Sequence, residues 1–493
     1  MQLFLFAATS LFAAVPGASG EQAVLHIDSG PHLFVDDLLV AERSGLIRRV
    51  HPCEKLPRPV LEAEKPWEEQ RVYIYGSVFP SPQNSGFLMW YMSREGDNPD
   101  MSKRDSRLQV GGPDLLLYAT SKDGVHWRRP DVQVYDYEGS RANNIVFAMH
   151  SPSVLYDADE PDPAYRYKVL GFRRPVPGKQ ERGCYAAHSA DGILWKLYPK
   201  NPVIDGGDTV TLSRNPKTGE YLAFFKRRAE VRGYARRVVY VAWSKDMQNW
   251  SEASLPVVPD EEDDKWVQNP PQRTEFYTMS AFPRGEQLIG LITVFNLEVV
   301  QDSKPGRSPN DGPLEVQLAH SRDGREWTRC KDRSPVIPRG PQAYDAGSIM
   351  GVSNIPVING DQMWLYYTAM TTTHGGSLPE KRMSIGRAAW RLDGMVSLDA
   401  GCEEAVLETV PLELEGRRLE VNADASRGQM TVELLDRDGK ALPGYGAEDC
   451  RRICSDGVRQ EICWAKGPLL PENQPLRIRF RLKNTSLYAF YLH

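Results

Sequence analysis

The stretch "SKDGVHW" (121–127) recurs as "SADGILW" (189–195), "SKDMQNW" (244–250) and "SRDGREW" (321–327). Each copy follows a short alternating apolar run, "LLLYATS", "CYAAHS", "VVYVAWS" or "VQLAHS", and leads into polar, Pro-rich sequence. The alternation predicts a strand, Asp-Gly a tight turn, and the Trp a further strand whose ring packs inward. Another apolar pair precedes the first three copies, at 76–93, 153–172 and 209–226, so the unit has four strands. A fifth, degenerate copy spans 348–370 and 383–396 and contains Asp393-Gly394. Four-stranded units repeated in this way bury their faces only against neighbours around an axis, which predicts an all-β chain with a five-bladed β-propeller over residues 21–400.

The flanks read differently. Residues 1–20, "MQLFLFAATSLFAAVPGASG", combine an apolar run with small residues and predict a secretory signal, although the usual basic start is missing. A secreted or periplasmic location follows, and no later apolar run has the length of a transmembrane helix, so no membrane association is expected after cleavage. Residues 403–493 alternate strongly without the Asp-Gly turn, in "VPLELEGRRLEVNADASRGQMTVELL" and "PLRIRFRLKNTSLYAFYL", and predict a small C-terminal β-sandwich.

A net charge of −5 over 493 residues gives no electrostatic footprint for nucleic acid, which makes a carbohydrate or other small molecule the expected partner. Seven cysteines are too few for a disulfide scaffold, and the spacing of Cys450, Cys454 and Cys463 does not fit a zinc site with two close Cys-x-x-Cys pairs. The chain lacks His-Glu-x-x-His, a P-loop and a strand-linked GxGxxG, so neither a metal nor a cofactor is expected.

The sialidase Asp-box reads Ser-x-Asp-x-Gly-x-x-Trp, whereas Gly follows Asp directly in the three Gly-containing copies here. Over residues 30–400 the blade count and turn pattern resemble the five-bladed propeller glycosidases of the invertase, levansucrase and arabinanase superfamily. The C-terminal segment is similar to the sandwich appended to invertase-type propellers. The resemblance implies a secreted glycoside hydrolase that uses three acids: a base or nucleophile, a general acid and a third that orients or tunes. The short Asp-Pro motif that carries the family's first acid at the entry of the first blade is absent there, and neither "FVDD" (34–37) nor Glu68 is a clean replacement.

In a four-stranded blade the segment leading into strand 1 and the loop joining strands 2 and 3 share one face, opposite the Ser-x-Asp-Gly turns. The turn acids Asp123, Asp191, Asp246 and Asp323 are therefore expected to cap their own turns. On the other face, "IDGGDTVTL", "QRTEFYTMS" and "QAYDAGSIM" offer Asp208, Glu275 and Asp345 as candidate catalytic acids. Glycosidic cleavage needs converging carboxyl groups of this kind: an acid for the leaving oxygen and a carboxylate to attack or to activate water. Glu68 (or Glu69) and His150 precede the first two blades as substrate-binding candidates. Arg94, Arg174 (or Arg173) and Arg227 (or Arg228) follow strand 2 of blades one to three, where guanidinium groups could hold a carboxylate, sulfate or phosphate. His374 takes the matching place in blade five. A noncatalytic carbohydrate-binding propeller and a sialidase-like enzyme on an anionic sugar are the alternatives.

Overall fold

The computed structural model describes residues 23–493, apart from 84–85, 95–99, 101, 103, 109–111, 177, 179, 303–306 and 473; the expected signal at 1–20 lies outside the described residues. The described chain is all-β, with helix only as short 3-10 turns. No described helix is long and apolar enough to cross a membrane.

Five antiparallel sheets follow one another along the chain. Sheet one contains Val72–Tyr73, Val78–Pro80, Phe87–Arg94, Asp114–Ser121 and Trp127–Arg128. Sheet two runs from His150–Tyr156 through Tyr167–Arg173 and Gly183–Ser189 to Lys196–Leu197, and sheet three from Val210–Arg214 through Tyr221–Val231 and Tyr234–Ser244 to Ser254–Val257. Sheet four runs from Arg273–Arg284 through Gln287–Leu297 and Leu314–Ser321 to Thr328–Arg329. Sheet five takes Ser348–Val352, Gln362–Met370 and Met383–Arg391 from its own stretch, but its outer strand is Glu54–Lys55, from ahead of sheet one.

The repeated turns join the third and fourth strands of sheets one to four, and their chemistry repeats atom for atom. In the first copy Asp123 Oδ1 accepts from the backbone N–H groups of Val125 (2.9 Å) and His126 (2.8 Å), while Ser121 Oγ accepts from Gly124 N–H (2.9 Å). Asp191, Asp246 and Asp323 each accept the same pair. The residue after the Asp sits at positive φ, +72° at Gly124 and +65° at Met247, which explains why Gly is preferred there. These acids are structural, as the turn chemistry requires.

The innermost strands meet around an axis through side-chain hydroxyls bonded to backbone. Val154 N–H donates to Ser77 Oγ (3.1 Å), joining sheets one and two, and Leu212 N–H donates to Ser153 Oγ (2.9 Å), joining two and three. Thr211 Oγ1 donates to Met279 O, joining three and four; Ser280 Oγ donates to Val352 O (2.6 Å), joining four and five. Ile74 N–H donates to Thr368 Oγ1 (2.8 Å), returning from sheet one to sheet five. The buried Asn354 ties the belt together: its amide donates to Leu212 O (2.6 Å) and Ser153 Oγ (2.9 Å) and accepts from Ser77 Oγ (2.5 Å).

Two larger sheets besides these five correct the boundary expected at residue 403. One contains Asp456–Glu461, Leu419–Asp424, Thr485–Leu492, Val396–Ala400 and Leu46–Val50, with Gly30–Leu33 also on Thr485–Leu492; the other contains Val40–Ser44, Ala405–Thr409, Arg477–Lys483 and Gln429–Leu435. Phe34, Leu407, Val421, Phe480 and Phe490 share their core. Residues 25–50 therefore belong here rather than with the five repeats, because the C-terminal strands find their remaining backbone partners in the N-terminal ones.

Asn354→Ala removes bonds to three sheets and leaves buried polar groups unpaired, so it is expected to lower stability by about 3 kcal/mol in denaturant melts. An isolated fragment of residues 403–493, deprived of its N-terminal partner strands, is expected to show no cooperative thermal transition by circular dichroism.

Candidate functional site

On the side opposite the Ser-x-Asp-Gly turns, the starts of first strands and the ends of second strands surround a cavity with two lobes, of about 330 Å³ and about 630 Å³. Asp208, Tyr277, Ser308 and His374 line both lobes. Four of the expected site residues, Arg94, His150, Asp208 and His374, line the smaller lobe, and Arg174 and Arg227 join Asp208 and His374 in the larger one. Sheet order alone brings these six side chains from four different sheets to one place.

Asp208 is the acid of the expected trio that reaches the cavity. Its side chain is 43% exposed and pairs with Lys226 Nζ at 2.6 Å. Partial burial pushes its pKa up, but the Lys226 ammonium, followed by His150 and the Arg174 guanidinium, outweighs that and holds the carboxyl far below the usual range. Asp208 is therefore an ionised group, suited to act as a base, a nucleophile or a hydroxyl acceptor, and not as a reservoir of acidic protons.

The other two acids are corrected. Glu275 is fully buried, accepting from Arg273 Nε (2.8 Å) on one oxygen and from Arg237 on the other. Arg237 lines the larger lobe, so Glu275 lies behind it and holds it. Asp345 is also fully buried; it pairs with Lys55 Nζ at 2.7 Å and accepts from Tyr367 Oη at 2.9 Å, anchoring the outer strand of sheet five. Glu68 is corrected in the same way. Its carboxylate accepts from the backbone of Glu64 (2.8 Å) and Lys65 (3.1 Å), from Tyr91 Oη (2.6 Å) and from Arg129 (2.8 Å), all within sheet one and its approach. At Glu275 and Glu68 burial selects this outcome, because a carboxylate removed from water needs its oxygens paired; at Asp345 both bonds fall on Oδ2, and Oδ1 is buried without a hydrogen-bond partner. Of the two alternatives at 173 and 174, Arg173 is buried against Phe147 and Tyr185, and Arg174 lines the cavity.

Several contributors were invisible in the motifs. Asp114, buried at the start of the third strand of sheet one, lies 3.2 Å from His150 Nδ1 and orients that imidazole. Burial pushes the Asp114 pKa up, but His150, Arg94 and Arg174 draw it down, so it too is ionised. Lys226 sits 4.1 Å above the Tyr277 ring while pairing with Asp208. His374 Nδ1 lies 2.8 Å from Asn310 O, which can only accept; the Nδ1–H donates, and Nε2 is left to accept from Tyr277 Oη at 3.2 Å. Burial lowers the His374 pKa to about 3, reinforced by Lys381, Arg237 and Lys226. The imidazole is therefore neutral in ordinary buffers and fixes the phenol of Tyr277 at the wall shared by both lobes.

No family model and no curated protein matches this chain. Some solved structures are similar to it at low identity and low TM-score. An N-acetylgalactosamine deacetylase from F. plautii in complex with blood group B trisaccharide is 14% identical, over 71% of this chain and 97% of that chain, with a TM-score of 0.45. A β-fructofuranosidase of Bombyx mori is 11% identical, over 90% and 93%, with a TM-score of 0.40. A β-1,2-mannobiose phosphorylase from Listeria innocua is 14% identical, over 71% and 97%, with a TM-score of 0.40.

His374 generates a pH prediction. Its pKa of about 3 in the fold lies below the 6.5 of the unfolded chain, so the unfolded state binds the extra proton between those values and stability falls as pH drops through that window. His374→Gln is expected to remove this contribution, which amounts to roughly 3 kcal/mol at pH 4. Urea melts at pH 7 and pH 4 should show a smaller loss in the variant than in the wild type.

Proposed function

We propose that this chain is a secreted, five-bladed β-propeller glycosidase with an appended β-sandwich, and that it cleaves a glycosidic bond in a negatively charged poly- or oligosaccharide. The observation that carries this reading is the ionised Asp208 beside Lys226 in a cavity rich in guanidinium groups. Asp208 attacks the anomeric carbon or takes a proton from the attacking water. His150, backed by Asp114, is the proton-transfer partner in the same lobe: it protonates the leaving oxygen as the glycosidic C–O bond breaks. Tyr277, held by His374, offers a hydroxyl to the sugar, and the arginines engage its charge. Guanidinium pairs favour an acidic sugar over a neutral one, because a neutral ligand leaves clustered like charges uncompensated.

A second reading is a noncatalytic module that binds the same class of glycan. It is favoured by the burial of Glu275 and Asp345, which leaves Asp208 without the carboxyl partners that the resemblance implies.

Reducing-end release from polygalacturonate, alginate, chondroitin sulfate, levan and arabinan tests both. Release is expected from an acidic glycan, with Asp208→Asn lowering turnover at least about a hundredfold. Asp345→Asn is expected to leave turnover within about threefold while costing about 3 kcal/mol of stability, since it strips the buried Lys55 of its counter-charge. Binding of an acidic glycan by calorimetry, with no release from any of the five, establishes the second reading instead.

A further inference from the structure

A second hollow lies on the side of the Ser-x-Asp-Gly turns, between sheets one and two. Its volume is about 580 Å³, and it shares no lining residue with the two lobes of the cavity. Strand register explains its position. In sheets one to four the residue just before the turn Ser pairs in the same register with the second strand, and in three of them it carries a ring: His188 opposite Lys168, Trp243 opposite Leu222, His320 opposite Ile289. The His188 ring stacks on Tyr165 at 4.0 Å, Trp243 lies 4.4 Å from the Arg325 guanidinium, and His320 is buried beside Asp36. Sheet one has Thr120 at this place, opposite Leu88, and both residues line the hollow. Sheet one therefore lacks the ring with which the next three sheets fill the position.

Tyr118 and Tyr167 form an aromatic wall. Both rings lean on Trp90, with centroids 5.3 and 5.6 Å from it, and Trp90 is itself fixed by its N–H bond to Gly192 O (2.6 Å). The two tyrosines are 8% and 3% exposed, yet neither phenol oxygen has a hydrogen-bond partner among the described residues. Burial raises the pKa of both, so each keeps its proton at neutral pH and can donate. Buried hydroxyls are ordinarily paired, and two left open on the wall of a recess mark a place for the polar groups of a ligand. Lys122 and Arg128 stand on the rim with Asp123 and Asp191, and His126 Nδ1 is bonded to Asp123 (2.7 Å), so the rim does not select strongly for an ion. Leu88 and Ile193 add apolar surface.

We infer that this hollow is a second sugar-binding site, which takes one uncharged pyranose residue away from the Asp208 cavity. The C–H faces of a pyranose pack on Leu88, Ile193 and the tyrosine rings, and the oxygens at its edge accept from the two phenols. A purely apolar ring would leave those phenols unpaired, and a charged sugar would meet a carboxylate as readily as a cation. The site stands on the hollow alone and does not depend on the proposed cleavage.

Crystals of the full chain soaked separately in galactose, mannose, glucose and xylose test this. At least one of the four is expected to appear as a ring against Tyr118 and Tyr167. Thr120→Trp, which supplies the ring that sheet three has at this register, is expected to melt as the wild type does and to abolish that density. Tyr118→Phe combined with Tyr167→Phe is expected to need about tenfold more sugar for the same occupancy, from the loss of two hydrogen bonds. No sugar in the hollow from any of the four soaks overturns the inference, as does indole seated there where every sugar fails; wild-type crystals alone decide this if a variant fails to fold. Sugar found only in the Asp208 cavity would favour the cleavage reading and overturn this one. Sugar in the hollow, with no release from any glycan, would retain this site and fail the cleavage reading.

Discussion

The structure depends on a belt of hydroxyl-to-backbone bonds at the axis. Inner strands of neighbouring sheets lie side by side but are not hydrogen-bonded as one sheet, so their exposed edges need other partners. Ser77, Ser153, Thr211, Ser280 and Thr368 supply them, one at each of the five junctions. Small β-branched or hydroxylated side chains suit this place because they let the backbones approach closely while satisfying buried donors and acceptors. Asn354 adds bonds to three sheets at once, and its burial makes each of those bonds costly to lose.

Once the belt fixes the inner strands, the site follows from it. Residues just before the first strand of one sheet and just after its second strand are carried to one side of the axis, so chemistry from distant parts of the chain converges. Asp208 precedes its first strand and His150 opens its own, while Arg174 follows a second strand and Lys226 lies within Tyr221–Val231. Closure of the ring is secured elsewhere, by Glu54–Lys55 on sheet five and by the buried Lys55 to Asp345 pair. An acid from the strand-start position thus serves two different ends: at Asp208 it meets the cavity, and at Asp345 it holds the closing strand.

The difference between those acids is one of solvent. Asp208 keeps contact with water and pairs with one ammonium, so it stays ionised and accessible. Glu275 is wholly enclosed and pairs with two guanidinium groups, and those partners block its approach to a ligand. What Glu275 contributes to the cavity is the position of Arg237. Of the three candidate acids, the arrangement leaves Asp208 lining the cavity, among guanidinium and ammonium groups.

Local chemistry was legible in the residues. The Ser-x-Asp-Gly turns were readable because the bonds by which Ser and Asp cap them span two or three residues, and the alternation of their flanking strands marks the four-stranded unit. The sidedness of the repeat was readable too, which is why Arg94, His150, Arg174, Asp208, Arg227 and His374 all reach the cavity. Partnerships across sheets were not: Lys55 and Asp345 are 290 residues apart, Asp114 and His150 belong to different sheets, and nothing in the local sequence of Glu275 announces Arg237. Nor could alternation in the C-terminal segment reveal that its sheets borrow strands from residues 25–50. By itself, then, the sequence determined the turns, the strand repeat and the side on which these six residues gather, since these rest on short-range sterics and hydrogen bonds. Which carboxylates remain in water, and which are consumed in holding the ring together, was decided only by the tertiary structure, because desolvation depends on every neighbour at once.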